Sequence, residues 1–232
     1  MDTRFLLLWF EAPLQSWGAD SKFGRRDSLP FPTKSGVLGL ICAALGASGE
    51  QKEMLAEMAP LKQTVISYRN LADRQTLLRD FHMVGSGYDR YDGSDKWYQL
   101  NIPKTADGKN AVGGGTKMTY RYYLQDAKFA VIVEVPNEKA KLFSEALQNP
   151  VYDIYLGRKS CVPTDFVFRG IFNTESEAST EALDISEKKE LAKDFRVVSG
   201  EAEGESLIIN DVPLQFGPIK KYKDRRVTIQ HG

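Results

Sequence analysis

Three constellations in this 232-residue chain combine residue types suited to gripping a polyanion. The first is Pro13-Leu14-Gln15-Ser16-Trp17-Gly18, followed, after a polar loop holding Arg25 and Arg26, by Phe31-Pro32-Thr33-Lys34-Ser35-Gly36. Free amides at a helix start there would favour a phosphate, with Lys34 beside it. Trp17 would stack on an unpaired base, and Gln15 would bond to a base edge. On the plainer reading, Trp17 packs on a core while Thr33 and Ser35 cap a helix, and residue types alone favour that version. The second constellation is Tyr155-Leu156-Gly157-Arg158-Lys159-Ser160-Cys161. Gly157 permits close approach of a backbone, Arg158 and Lys159 supply charge and Ser160 a hydroxyl, which suits a sugar-phosphate chain or else a simple solvated turn. The third runs from Arg79 and His82 through Tyr88, Arg90, Tyr91, Lys96, Trp97 and Tyr98 to Lys117, Tyr120, Arg121, Tyr122 and Tyr123. Cations interleaved with aromatics hold single strands by charge and by stacking worth roughly 1–3 kcal/mol per base. Strands favour aromatics in any case, so structure competes with function here. His82 is the one histidine away from the terminus, and general-base chemistry at neutral pH would turn on it with a nearby tyrosine or lysine. A lone histidine is more often structural, and spacing fixes no second catalytic group. No P-loop, dinucleotide fingerprint, nucleophile elbow or paired-carboxylate motif occurs.

These groups need elements to position them. The apolar run at 4–11 reads as a buried central strand. Residues 36–45 repeat Val37, Leu38, Leu40, Ile41 and Ala44 at helical spacing, capped by Thr33 or Ser35 and closed by Gly46. Ser48 and Gln51 predict a capping box for a second short helix that Pro60 ends. Strands are expected over 64–70 and 128–135, then a helix over 137–147 with Leu142, Phe143 and Ala146 inward, then a strand beginning at 153–156. The order is βαββαβ, the α+β ferredoxin-like pattern shared by RNA-recognition (RRM-like) domains. Residues 71–127 do not fit that core. Their ends at 76–84 and 117–124 look extended around a polar, glycine-rich middle, which predicts a long β-hairpin insertion rather than a structureless loop. Residues 1–170 then form the ferredoxin-like domain, and 171–232 a small C-terminal region with a surface helix at 183–195 and a strand at 206–209.

Charge qualifies the partner class. Lys plus Arg and Asp plus Glu both number 31, a formal net charge of zero, which argues against a free-standing basic DNA binder. The neutrality is an average. Residues 171–211 carry 11 acidic and 4 basic groups, net −7, between blocks of net +3 and +4, so a local basic surface remains available. Two cysteines, Cys42 and Cys161, and two histidines give neither a disulfide framework nor a zinc site, and no cofactor is expected. The apolar run at 5–10 is too short for a membrane span or a secretory segment, so the expectation is a soluble, reduced, cytoplasmic protein.

At 13–18, 31–46 and 155–161 the chain resembles the Cas family five subunit of type I CRISPR Cascade complexes, in the CasD (type I-E) branch of the RAMP superfamily. The blocks PLQSWG and FPTKSGVLGLICAALG are long and specific, Arg79-Asp80-Phe81-His82-Met83-Val84 and 120–135 are similar in order and spacing, and the likeness extends over roughly 1–172. One departure is Val162, which intervenes between Cys161 and Pro163 where family members often place Pro directly. The resemblance implies a ferredoxin-like core with a protruding thumb, one copy per complex, and capping of the 5′ handle of the crRNA. It implies neighbours too: a backbone subunit beside the thumb, a large PAM-reading subunit, and target DNA read through guide pairing. Carried onto matching positions, Gln15, Trp17, Gly18, Lys34, Ser35, Arg158, Lys159 and Ser160 become candidates for handle binding or for shaping its groove. Arg25, Arg26, Arg79 and His82 complete the candidate RNA-binding set. In the type I-C branch the corresponding subunit cuts precursor RNA, whereas in the I-E branch it only binds. The GRKSC form resembles I-E, which implies a non-catalytic subunit. The alternative is a metal-independent endoribonuclease using His82. On this reading Lys34→Glu or Arg158→Glu weakens handle binding and leaves the fold intact, as gel shifts at low salt would register.

Overall fold

A computed structural model of the chain describes residues 2–18, 24–70, 77–84, 104–109 and 117–231. Its first strands are β1 (Thr3–Glu11), β2 (Leu14–Gln15), β3 (Trp17–Gly18), β4 (Arg25–Arg26) and β5 (Ser28–Leu29), followed by helices α1 (Lys34–Ala44) and α2 (Lys52–Met58). Then come β6 (Gln63–Arg69), β7 (Leu77–Val84), β8 (Lys117–Gln125), β9 (Lys128–Pro136), helix α3 (Asn137–Gln148) and β10 (Phe168–Phe172). Helix α4 (Glu175–Lys188) precedes β11 (Ala192–Ser199), β12 (Glu205–Gln215) and β13 (Lys221–His231).

Seven strands make one antiparallel sheet in the order β10-β1-β9-β6-β11-β13-β12. The continuous apolar run of β1 follows from burial on both faces. Leu6, Leu8 and Phe10 join Phe129, Val131 and Val133 of β9 in a core covered by α1, α2 and α3. Leu7 and Trp9 face the other way, against Ala178, Ala182 and Ile185 of α4. The hairpin insertion appears as β7 paired to β8 from Leu77↔Leu124 to Val84↔Lys117, and β8 continues through Asp126 into β9. On its other side β8 binds β2 antiparallel and β4 parallel, so the root of the hairpin is anchored to the loop after β1. The glycine-rich middle of the insertion, with Tyr88, Arg90, Tyr91, Lys96, Trp97 and Tyr98, lies outside the described residues.

Several expected elements shift. Residues 153–156 form no strand; the next strand after α3 is β10, reached through a long irregular stretch. On α3 Phe143 is buried as expected and Ala146 packs partly buried against the core, but Leu142 is 53% exposed and Ala140 and Leu147 complete the inward face. Helix α4 starts eight residues before the expected 183, set by a true capping box of Thr174 and Glu177. By contrast Ser48 and Gln51 form none: Gln51 sits at φ 52°, its side chain bonded to the Ser48 carbonyl. The basic stretch at 220–226 lies largely within β13, and residues after 171 contribute α4 and three strands to the same sheet. The boundary expected at 170/171 falls inside β10. Among the described residues, no helix is long and apolar enough to cross a membrane.

A bulge fixes how the last hairpin meets the first helix. Asn210 pairs with Asp224 and Val212 with Lys223, which leaves Asp211 as the extra residue. Bulges bend a strand and re-aim a side chain. Here the Asp211 carboxylate turns inward, accepts from the Lys34 backbone N–H at 2.7 Å, and takes Nε and Nη2 of Arg225 at 2.6 and 2.9 Å. The first free amide of α1 and a half-buried guanidinium thus share one buried anion, which also suits the positive end of the helix. Asp211→Ala leaves Arg225 without its partner and should cost about 3–5 kcal/mol, read as a lowered urea midpoint with unchanged m.

Candidate nucleic-acid interface

The candidates from the first constellation divide by accessibility. Gln15 is fully buried, its Nε2 donating to the carbonyls of Ala127 (2.6 Å) and Phe10 (3.3 Å) while its Oε1 accepts from Trp17 Nε1 at 3.2 Å. Trp17 stacks on Phe10 with ring centroids 5.3 Å apart. Neither reaches a base; together they fasten β2 and β3 to the end of β1. Thr33 caps α1 by accepting from the Gly36 amide, and a side chain at Gly36 would meet the Trp17 ring at 2.9 Å. Gly18 and Ser35 remain accessible at a groove rim.

Lys34 is corrected most sharply. It is 3% exposed, and its ammonium donates to the carbonyls of Ala59 (2.8 Å) and Leu61 (2.5 Å). Ala59 caps α2 and Leu61 follows just beyond it, so the charge sits where a helix end is negative. Burial, helped by the Arg225 guanidinium, lowers its pKa to about 8, against the opposing pull of Asp211 and Glu134. Lys34→Glu would set a carboxylate against two buried carbonyls, so it unfolds the chain instead of testing an RNA contact.

The second constellation is likewise partly internal. Gly157 has φ +99°, and a Cβ there would lie 1.7 Å from the Ser16 carbonyl oxygen. The close-approaching backbone is the chain's own: the Ser16 amide donates to the Leu156 carbonyl at 3.1 Å. Arg158 reaches under the hairpin insertion, donating to the carbonyls of Tyr122 (3.2 Å) and Arg26 (3.0 Å) with its guanidinium over the Tyr123 ring. It fastens β4 and β8 together and lies half-buried beneath the stem. Lys159 and Ser160 are exposed. Cys161 is buried and its thiol is pushed up by burial, as a small packing residue would be.

Two surfaces remain open. One is a face of the β7–β8 stem. Register places Arg79 opposite Tyr122, Phe81 opposite Tyr120 and Met83 opposite Met118 on that face. Arg25, ion-paired to Asp27 at 2.7 Å, lies over Tyr122; Arg79 lies over Tyr120, whose ring also meets Phe81. Phe81, Met83, Met118 and Tyr120 are 46–61% exposed. His82 points to the opposite face, its Nε2 2.7 Å from Asp80 Oδ2 and its register partner Thr119 buried. The other surface is a groove of about 1170 Å3 where the first two constellations meet. Gly18, Ser35 and Lys159 line it, together with Tyr152, Tyr155 and the β12–β13 hairpin. That hairpin wall was missed from sequence. The signal was present in Lys221-Tyr222-Lys223-Asp224, whose alternation marks a strand with Tyr222 and Asp224 on one face.

The family model for "CRISPR-associated protein (Cas_Cas5)" matches residues 5–228. The CRISPR system Cascade subunit CasD of Escherichia coli (strain K12) is 32% identical over 174 residues, covering 72% of this chain and 70% of that protein. A chain of a solved CRISPR RNA-guided surveillance complex superposes with a TM-score of 0.72 at 28% identity, covering 98% of this chain and 89% of that one. A crystal structure of a Cas protein gives 0.56 at 25% identity, covering 98% and 94%.

Two outcomes follow from the geometry. Gly157→Ala should destabilise the chain by several kcal/mol, about the scale of backbone strain plus a backbone clash, read as a loss of thermal midpoint. Because the folded Lys34 pKa is depressed, the unfolded chain holds more protons between about pH 8 and the ordinary lysine value near 10.4. Stability contributed by this group therefore rises with pH across that window and is flat below it. A denaturant titration series should show that rise in the wild type and lose it in Lys34→Met.

Proposed function

This chain belongs to the CRISPR-associated Cas5 family, and from that premise we propose that it is a non-catalytic crRNA-binding subunit of a type I-E Cascade surveillance complex. The observation that carries the proposal is the exposed ladder of Arg25, Tyr122, Arg79, Tyr120 and Phe81 on the hairpin stem. Alternating guanidinium and ring faces suit unpaired nucleotides, because every base has a stacking face and every linkage a charge. Lys159, Ser160, Gly18 and Ser35 extend this surface toward the groove, which would take bases of the 5′ handle of the crRNA. The stem acts as the thumb that closes over it. Arg26 and Arg158 serve by holding the thumb root. A backbone subunit beside the thumb, a large PAM-reading subunit and target DNA paired to the guide are the partners this role requires.

The strand order β10-β1-β9-β6, with α1–α2 and α3 on one face, supports a ferredoxin-like core within residues 1–170 that carries the thumb at 71–127. Residues 171–232 then brace that core and complete the groove.

A binding role, not cleavage, is favoured because His82 lies on the stem face away from the ladder. Ultraviolet cross-linking of the assembled complex should put the 5′ end of the crRNA on peptides of this chain. Arg79→Glu should weaken RNA binding about tenfold and reduce its salt dependence, with the thermal midpoint unchanged. Metal-free incubation with the cognate repeat RNA should leave it intact on a denaturing gel. A single cut that disappears in His82→Ala would overturn the proposal.

A further inference from the structure

Among the described residues, the lining of the groove beside α1 does not carry the charge of a channel for a sugar-phosphate backbone. Its lining cations Lys159 and Lys220 are matched by the carboxylates of Asp153 and Asp224, and the third carboxylate, Asp211, is already held by Arg225. Counterion release, which drives backbone binding, therefore has little to act on here. What the groove does present is rings and hydrogen-bond acceptors. Tyr152 and Tyr222 line it while remaining 55% and 37% exposed. The Asn210 amide donates to Asp224 across the β12–β13 ladder, and the Tyr155 hydroxyl donates to Asp153 at 3.2 Å. Each bond uses one of the roughly four acceptor positions of its carboxylate, leaving capacity for a ligand's N–H groups.

We propose that this groove binds unstacked bases of the RNA and selects those carrying an exocyclic amino group. Asp224, oriented by Asn210, accepts from the amino group, and Tyr222 offers the stacking face. Adenine, cytosine and guanine each present that donor. Uracil presents a single N–H flanked by two carbonyl oxygens, which would face the carboxylate unfavourably. This deepens the RNA-binding reading above and rests on it: the thumb supplies grip and the groove supplies base selection. The carriers of the selection are therefore on the C-terminal hairpin, outside the PLQSWG, FPTKSG and GRKS blocks.

The test uses the full chain and short single-stranded oligoadenylate, oligocytidylate and oligouridylate in fluorescence anisotropy. Wild type should bind the first two at least about tenfold more tightly than the third, the scale of one base-edge contact. Asp224→Asn, at an exposed position, should bring the three affinities together, while Tyr222→Ala should weaken all of them and Tyr222→Phe should not. Arg79→Glu should lower every affinity and preserve the ratio. Equal wild-type affinities, or a ratio unchanged in Asp224→Asn while Arg79→Glu still weakens binding, would overturn base selection and leave the thumb reading standing. No binding to any oligomer, with no RNA cross-linked to the chain in the assembled complex, would overturn both.

Discussion

The buried carboxylate of Asp211 is bonded at once to the start of α1 and to Arg225 on the last strand, and the groove has its shape because of that double engagement. Without it, β12 and β13 would be an edge hairpin running off the sheet. With it, the hairpin bends at its bulge and lies against α1. The bend is reinforced by Gln215, which donates to Glu50, and by the Phe216 amide, which donates to the Glu50 carbonyl. Lys34 completes the arrangement from the other side, its amide on Asp211 and its ammonium on the last carbonyls of α2. One residue thus joins two helices and a hairpin, and two opposite charges share the junction with Arg225. A buried ion pair adds little stability over an apolar substitute, but losing one member is costly. The arrangement specifies geometry more than it adds stability.

The same economy governs the thumb root. Gln15, Arg158 and Gly157 carry residue types that suit RNA, yet each is spent on the chain's own backbone. The Arg158 guanidinium donates to carbonyls of both β4 and β8, sharing the Tyr122 carbonyl with the Ser16 hydroxyl, and also covers the Tyr123 ring. The ladder of Arg25 and Arg79 over tyrosines stands on a stem held at its base, so its rings need little ordering when a ligand arrives.

The central sheet was legible because its signals are local and strong: the apolar runs of β1 and β9, buried on both faces, and the Thr33 cap with Gly46 around α1. The hairpin stem was legible from its extended flanks. What the sequence hid was set by distant partners. Lys34 looks like a phosphate ligand until a carboxylate 177 residues away claims its amide. The strand expected at 153–156 is an irregular turn because Leu156 bonds to Ser16 and Cys161 in place of a sheet neighbour. No strand was expected in the last basic stretch because charge masked the alternation that makes it β13.

The junction at Asp211 also orders events in time. Its partner Lys34 leaves the ribosome early and Asp211 late, and contacts so far apart in sequence are slow to form because the long intervening loop must close first. During synthesis the thumb and the β1–β9 pairing can therefore assemble while the hairpin wall of the groove does not yet exist. On the proposed reading, a nascent chain in that state would carry the stem that grips RNA but not yet the wall that selects bases, and completion of β13 is the step that would add it.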